Sequence, residues 1–237
     1  MVDLTPIEKE IDALVQKAGF YLQTYRAIDA LAVLNEAIGI VESNDVQWRV
    51  KAAVYRDHGQ AQFQMGNCEI AMGSFIHSYE LLEDGNDKAA AAGLIAGYYL
   101  REGKRTEAKE YAHKALETAT APELLSHPYQ IMGGIALEEG DFLKAIDLMN
   151  KAASLAEDAH CITDLAMIIM DIAAIFLKMG KNETALSEIY RAERYVKESR
   201  NLDLYMRCAI RRAKILYKMG KDEEAKLLIC ALDEQKC

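Results

Sequence analysis

Five short segments of the chain share one pattern, Gly, four variable residues, then Ala: GNCEIA at 66–71, GKRTEA at 103–108, GDFLKA at 140–145, GKNETA at 180–185 and GKDEEA at 220–225. Their glycines, Gly66, Gly103, Gly140, Gly180 and Gly220, are 37, 37, 40 and 40 residues apart, and Tyr25 with Ala30 forms a degenerate copy 41 residues upstream. A recurrence this regular restricts the chain to stacked supersecondary units, because a unit of this size buries its apolar face only against its neighbours.

Each unit reads as two helices. An apolar-periodic stretch precedes every Gly, such as CITDLAMIIMDIAAIFLKM, and a second one follows, such as ETALSEIYRAERYVKES, with apolar residues at spacings of three and four. The Gly occupies the position after a helix C-terminus, where a left-handed backbone is needed. The Ala five residues later (Ala71, Ala108, Ala145, Ala185, Ala225) lies one turn into the next helix, where a small side chain lets two helices approach closely. The first helix opens with a capping box: Thr5 at the N-cap, Pro6 at the first helical position and Glu8 placed to reach back to the N-cap amide, as would be expected of an intact natural start. The expected organisation is one domain, 1–237, with units at about 5–43, 45–84, 87–120, 122–158, 160–199 and 201–237.

Composition agrees and excludes other classes. Of the 237 residues 51% are apolar, enough to bury a core, while 3 Pro and 8% aromatics disfavour turn-rich β architectures. No apolar run approaches the roughly 18 residues of a membrane span, and the N-terminus lacks the basic and apolar regions of a secretory signal. The five cysteines (Cys68, Cys161, Cys208, Cys230, Cys237) are scattered and never in CxxC spacing, as expected of reduced thiols in a cytoplasmic protein without structural zinc or disulfides. The net charge of −9 argues against a nucleic-acid or anionic-membrane binder. That charge is graded along the chain: residues 1–86 carry −7, 87–200 carry −4 and 201–237 carry +2.

The repeated residues make the chain resemble the tetratricopeptide repeat (TPR) family, in which small or aromatic residues in the first helix, Gly at the turn and spaced Ala in the second helix define the unit. The third unit supplies Ile95, Ala96, Tyr99, Gly103, Ala108 and Ala115; the fourth Tyr129, Met132, Gly133, Gly140, Ala145 and Ala152; the fifth Ile172, Ala173, Phe176, Gly180, Ala185 and Ala192. The second keeps Gly59, Gly66, Ala71 and Phe75 but has Gln62 where an aromatic is usual. Units of 37–41 residues exceed the usual length of about 34, so the helices are expected to be a turn longer. The resemblance implies an all-α, right-handed α-α superhelix, a solenoid of about six helix pairs whose first helices line a concave face. The sixth pair has no solvating helix after it, so its last helix needs a polar outer face or a partner. There Leu227, Cys230 and Ala231 lie off the stripe of Ala225, Leu228, Ile229 and Leu232 and offer a surface for self-association.

No catalytic constellation is present in the sequence. The five His (His58, His77, His113, His127, His160) form neither an HExxH motif nor an i,i+4 pair, and no P-loop, dinucleotide fingerprint or GxSxG elbow occurs. The chain therefore reads as a non-enzyme with no cofactor and no metal. The residues that the resemblance places on the concave face are the candidate partner-binding set: Arg56, Gln60, Gly93, Gly97, Leu100, Gln130, Gly134, Met167, Met170, Arg207, Arg211, Lys214 and Lys218. Gly93, Gly97 and Gly134 sit inside helices at a cost of about 1 kcal/mol each relative to Ala, which points either to tight helix packing or to a smooth floor under a partner segment. Met167 and Met170 suit an adaptable apolar groove, although a helix as apolar as 165–177 is usually buried on every side. Arg211 should pair with Asp171 at the equivalent position of the preceding unit, and the other cations either solvate a face or anchor an acidic peptide. The two-carboxylate clamp of chaperone-binding TPR domains is not reproduced, since Val15, Gly19, Arg56 and Gln60 stand at its positions. The expected function is a cytoplasmic interaction scaffold or adaptor taking a partner peptide or helix in the groove. A peptide-sensing or sequestering regulator of the bacterial extended-TPR type is the alternative. Expected partners are a protein or peptide, with self-association through the C-terminal helix or head to tail, and neither nucleic acid nor membrane.

Overall fold

The computed structural model describes residues 4–83, 85–199 and 201–234, with side chains as far as 231. Leu232 and Cys237 thus lie outside the described side chains. Among the described residues there are twelve α-helices: α1 (Pro6–Gln23), α2 (Ala27–Ser43), α3 (Trp48–Gln64), α4 (Cys68–Leu81), α5 (Asn86–Arg101), α6 (Arg105–Thr118), α7 (Ser126–Glu139), α8 (Phe142–Asp158), α9 (Ile162–Lys178), α10 (Asn182–Ser199), α11 (Leu202–Lys218) and α12 (Asp222–Glu234). A 3-10 turn at Pro122–Leu124 precedes α7. The helices form two compact units, residues 1–120 with α1–α6 and residues 121–237 with α7–α12. In each unit consecutive helices pack as pairs and each pair packs on the next, the all-α helical-repeat solenoid that the resemblance implied.

The turns inside the pairs share one backbone device. Gly66, Gly103, Gly140, Gly180 and Gly220 all have φ between 73° and 82°, and Tyr25 takes the same left-handed conformation at 56°. In each case two main-chain bonds close the helix; at Gly180, for example, the Gly180 amide donates to the Leu177 carbonyl and the Lys181 amide to the Phe176 carbonyl, both within 3.1 Å. Tyr25 and Arg26 repeat this with Leu22 and Tyr21, so the degenerate first copy is a genuine turn of the same class. His160, between α8 and α9, adopts φ 57° and closes α8 likewise. The alanines that follow these turns, Ala30, Ala71, Ala108, Ala145, Ala185 and Ala225, are all buried.

In the first unit the capping box at α1 forms as expected and does a second job. Glu8 is buried, accepts from the Thr5 amide at 2.8 Å, and its other oxygen accepts from the Gln47 amide at 2.9 Å, tying the start of α1 to the residue before α3. These bonds to the ionised form hold the Glu8 carboxyl below its ordinary range, the Gln47 amide being the largest cause. Further along, Gly59 lets α3 and α4 approach until Phe75 lies against the Gly59 backbone, and Phe75 stacks on Tyr98 with centroids 4.5 Å apart. Burial lowers the His58 pKa from the ordinary imidazole range, which favours the neutral ring. Its Nδ1 lies 2.8 Å from the Ser74 hydroxyl, which itself donates to the Ile70 carbonyl; the ring N–H therefore donates to Ser74, leaving Nε2 to accept from the Gln62 amide at 3.2 Å.

The second unit is centred on α9. Ile168, Ile169, Met170 and Ile175 are fully buried, which accounts for the apolar run 165–177 as core enclosed by α8, α10 and α11. Each such side chain contributes about 1.5–3 kcal/mol of transfer free energy. The Ser126 hydroxyl donates to the Ala152 carbonyl at 2.9 Å, the counterpart of Ser78 and the Ala52 carbonyl at 2.7 Å in the first unit. At the end of this unit a register comparison is informative. Nine residues after each turn position stand Leu34, Phe75, Ala112, Met149 and Ile189, all 0–3% exposed; the sixth member, Ile229, is 49% exposed. Ile229 had been expected on the buried stripe of α12, but no following helix covers it among the described residues, and Leu227 beside it is also exposed.

Candidate functional site

The first helix of each pair carries the candidate residues, and each unit presents its own face. In the first unit α3 contributes Arg56 and Gln60, both exposed, and α5 contributes Gly93, Gly97 and Leu100. Gly93 is buried, so it serves packing and gives no open floor; Gly97 and Leu100 are half-buried. Between α3 and α5 lies a cavity of about 160 Å³ with Ala52, Ala53, Ala90 and Ala91 in its walls and Arg49, Arg56 and Asp87 at its polar positions. Arg56 donates through Nε to Asp57 Oδ1 at 2.8 Å. Arg49 was missed in the sequence, although it stands two helical turns before Arg56 and hence on the same side of α3; its guanidinium lies 4.8 Å from the Trp48 ring centroid.

In the second unit α7, α9 and α11 are joined by a polar chain. The Asp171 carboxylate accepts from Arg211 at 2.9 Å and from Gln130 Nε2 at 2.9 Å, and Arg211 also donates to the Met170 carbonyl at 2.8 Å. The Arg211–Asp171 pair is the one expected from register; the Gln130 contact that completes it was not. Arg211 is thus fixed by two acceptors and its charge is matched. Met170, by contrast, is fully buried: it reaches the α9–α11 cavity only as part of its wall, and its carbonyl is the group that takes part in the polar chain. Met167 is half-buried, with its sulfur 3.8 Å from an Arg207 nitrogen, and Gly134 is half-buried. Arg207, Lys214 and Lys218 are exposed, as are Ile210 and Tyr217 on the same helix. A cavity of about 350 Å³ opens between α9 and α11, with Ala173, Ala174, Leu177 and Ile215 as apolar walls and Asp171, Arg211 and Lys214 as polar ones.

This arrangement offers fixed hydrogen-bonding groups, cations with no carboxylate partner among the described residues, and apolar recesses, the ingredients of recognition. Among the described residues no group of three or more His, Cys, Asp or Glu is placed to hold a metal, and no helix is long and apolar enough to cross a membrane. Cys68, Cys161, Cys208 and Cys230 are free thiols, and burial pushes the Cys208 thiol up to about 11, away from nucleophilic use at neutral pH.

No protein-family model matches the sequence, and no curated protein matches it. Solved structures do share its fold. Aspartyl phosphate phosphatase F from Bacillus subtilis is 15% identical, with 96% of this chain and 74% of that one covered at a TM-score of 0.67. The Rap conjugation gene regulator of the plasmid pLS20, solved in complex with the Phr* peptide, is 12% identical, with 92% and 72% covered at 0.66. A signal-transduction ATPase with a tetratricopeptide repeat sensor from Pyrococcus horikoshii is 16% identical at 0.71, with 98% of this chain but only 37% of that one covered. With the recurring left-handed turns, the buried alanines after them and these neighbours together, the chain is a TPR-type helical-repeat protein in fold.

Proposed function

We propose that the protein is a non-catalytic interaction adaptor that takes a peptide or a helix of a protein partner on the first-helix face. The observation that carries this reading is the α9–α11 surface, where an open apolar cavity adjoins cations that have no carboxylate partner among the described residues, beside an arginine already fixed and neutralised by Asp171. Arg56, Gln60 and Leu100 are the candidate contacts of the first unit in this reading, Gln130, Met167, Arg207, Lys214 and Lys218 those of the second, and the cytoplasm is the compartment in which the protein acts. The test is position-specific crosslinking. A photoreactive residue at Gln60 or Arg207 should capture the partner in cells, whereas one at Lys109 or Glu183, exposed on second helices, should not. Capture from the second-helix positions alone would overturn the proposal.

A second reading, a peptide-sensing or sequestering regulator, is supported by the pLS20 regulator, whose structure contains a peptide, and by the neighbour described as a tetratricopeptide repeat sensor. The two readings part on conformational response. Small-angle scattering with and without a bound peptide should change for a sensor and stay constant for a passive adaptor, because a ligand shifts an equilibrium only by its differential affinity for two states.

A further inference from the structure

We infer that the α11 face of the second unit, with its adjoining cavity, is a docking site for an extended acidic peptide segment bearing one large apolar side chain. The inference rests on the reading above and specifies its ligand.

Arg207, Lys214 and Lys218 recur at intervals of seven and four residues, which places all three on one side of α11. All are exposed, and none has a carboxylate partner among the described residues. Lys178 stands two residues before Gly180 as Lys218 stands two before Gly220, so α9 adds an exposed cation at the same register. The only acidic residue of α11 is Asp203 in its first turn. The one carboxylate lining the cavity, Asp171, is already used by Arg211 and Gln130. In a chain of net charge −9 this leaves positive charge on the α11 face that has no carboxylate partner among the described residues.

Charge alone would fit any anion; the apolar features narrow the choice. Ile210 and Tyr217, 56% and 66% exposed, lie among the cations, and the cavity beside them has Ala173, Ala174, Leu177 and Ile215 in its walls. Its volume of about 350 Å³ admits one bulky side chain such as Leu, Met or Phe. The spacing sets the backbone form of the ligand. Seven residues of helix separate Arg207 from Lys214, roughly 10 Å along the axis, and an extended chain covers roughly 10 Å in three residues. An extended polyproline-II segment, with three residues per turn, returns side chains three residues apart to one side, so two carboxylates at that spacing meet both cations while an apolar residue between them turns toward the cavity. A nucleic acid would meet the cations but leave the apolar recess unfilled.

The experiment is selection of a random twelve-residue peptide library displayed on phage against the full-length protein, followed by fluorescence anisotropy of the enriched peptides on the native protein and on the Lys214→Glu/Lys218→Glu double variant. Both substitutions are at exposed positions, and thermal denaturation by circular dichroism checks that the variant is folded. The expected result is enrichment of peptides with acidic residues around a large apolar one, a loss of roughly tenfold or more in affinity in the double variant, and weakening with added salt. A fluorescent fifteen-residue oligothymidylate should not bind. Enriched peptides without acidic bias, or unaffected by the double variant, would overturn this inference while leaving the adaptor reading intact. No enrichment at all would overturn both. Oligothymidylate binding that is lost in the double variant would assign the face to nucleic acid and overturn the inference.

Discussion

Gly59→Ala sets two effects of known size against each other. Ala is favoured over Gly in a helix interior by about 1 kcal/mol, so propensity alone predicts a more stable protein. A Cβ at residue 59, however, would lie 2.7 Å from Cε1 and 2.8 Å from Cδ1 of Phe75, and 3.0 Å from the Ala71 carbonyl oxygen. Ordinary contact requires the ring to retreat by roughly 0.8 Å. It has nowhere to go, because its other face stacks on Tyr98 at 4.5 Å with only 12° between the planes. Overpacking typically costs about 1–3 kcal/mol, and a degraded aromatic stack about 0.5–1.5 kcal/mol more. The steric cost wins, for a net loss of about 1–3 kcal/mol. The control is Gly73→Ala in the neighbouring helix α4, where nothing lies within 4 Å of the new Cβ; it gains the same propensity without the clash and should stabilise by about 0.5–1 kcal/mol. Gly133→Ala falls between, since the nearest atoms belong to the flexible Met149 side chain at 3.0–3.1 Å, with the Ala145 carbonyl oxygen further off at 3.3 Å. The assay is equilibrium urea unfolding followed by Trp48, the single tryptophan of the chain, which sits in the same helix as Gly59. If Gly59→Ala is as stable as Gly73→Ala, the close approach of α3 and α4 described here is wrong.

Four further outcomes are expected. Tyr25→Gly should raise stability by about 0.5–1 kcal/mol, since the left-handed backbone at Tyr25 costs about 1–2 kcal/mol, part of which glycine's extra unfolded-state entropy offsets, and the exposed ring loses no buried contact; an unchanged urea midpoint would count against the strain. Because the Glu8 carboxyl is held down in the folded state, its stabilisation is present above the ordinary carboxylate range and is lost as pH falls through the lowered value. Urea midpoints of the native protein and Glu8→Gln should therefore differ at pH 7 and converge in acid, and a gap independent of pH would refute the linkage. Asp171→Ala should destabilise by about 1–2 kcal/mol, measured by thermal unfolding, because it strands both Arg211 and Gln130. Finally, if the six helix pairs act as one domain, unfolding monitored by Trp48 fluorescence and by helical circular dichroism should coincide, and two separated transitions would argue for independent units.

The repeat positions were legible in the sequence because the turn is a local device: a residue that must take a left-handed backbone, followed by a small residue one turn later, leaves its mark within six residues. The Arg211–Asp171 pair was legible for a related reason, since equal register in successive units brings equivalent side chains together. Sequence periodicity was least informative in α9. A helix apolar on every side has no pattern from which to read the direction of Met170, and only the packing of α8, α10 and α11 around it decides that the side chain is enclosed. Ile229 shows the converse limit. Its stripe position matches the buried Ile189, but burial at that register belongs to the next helix and not to the residue itself. Arg49 escaped notice, and Gln130 was read as a contact residue without its bond to Asp171, because neither belongs to the repeated pattern; each acquires its role only from what the neighbouring first helix places opposite.

The main-chain closure of the turns has a consequence for retargeting. Helix termination at Gly66, Gly103, Gly140, Gly180 and Gly220 uses amides and carbonyls alone, and the alanines that follow seat one helix on the next from the interior. Neither task draws on the exposed side chains at positions 207, 214 and 218, so the folding instructions and the recognition instructions occupy separate letters of the sequence. Those positions are open to randomisation as a set, and a library varied only there would explore new ligand preferences on an unchanged scaffold.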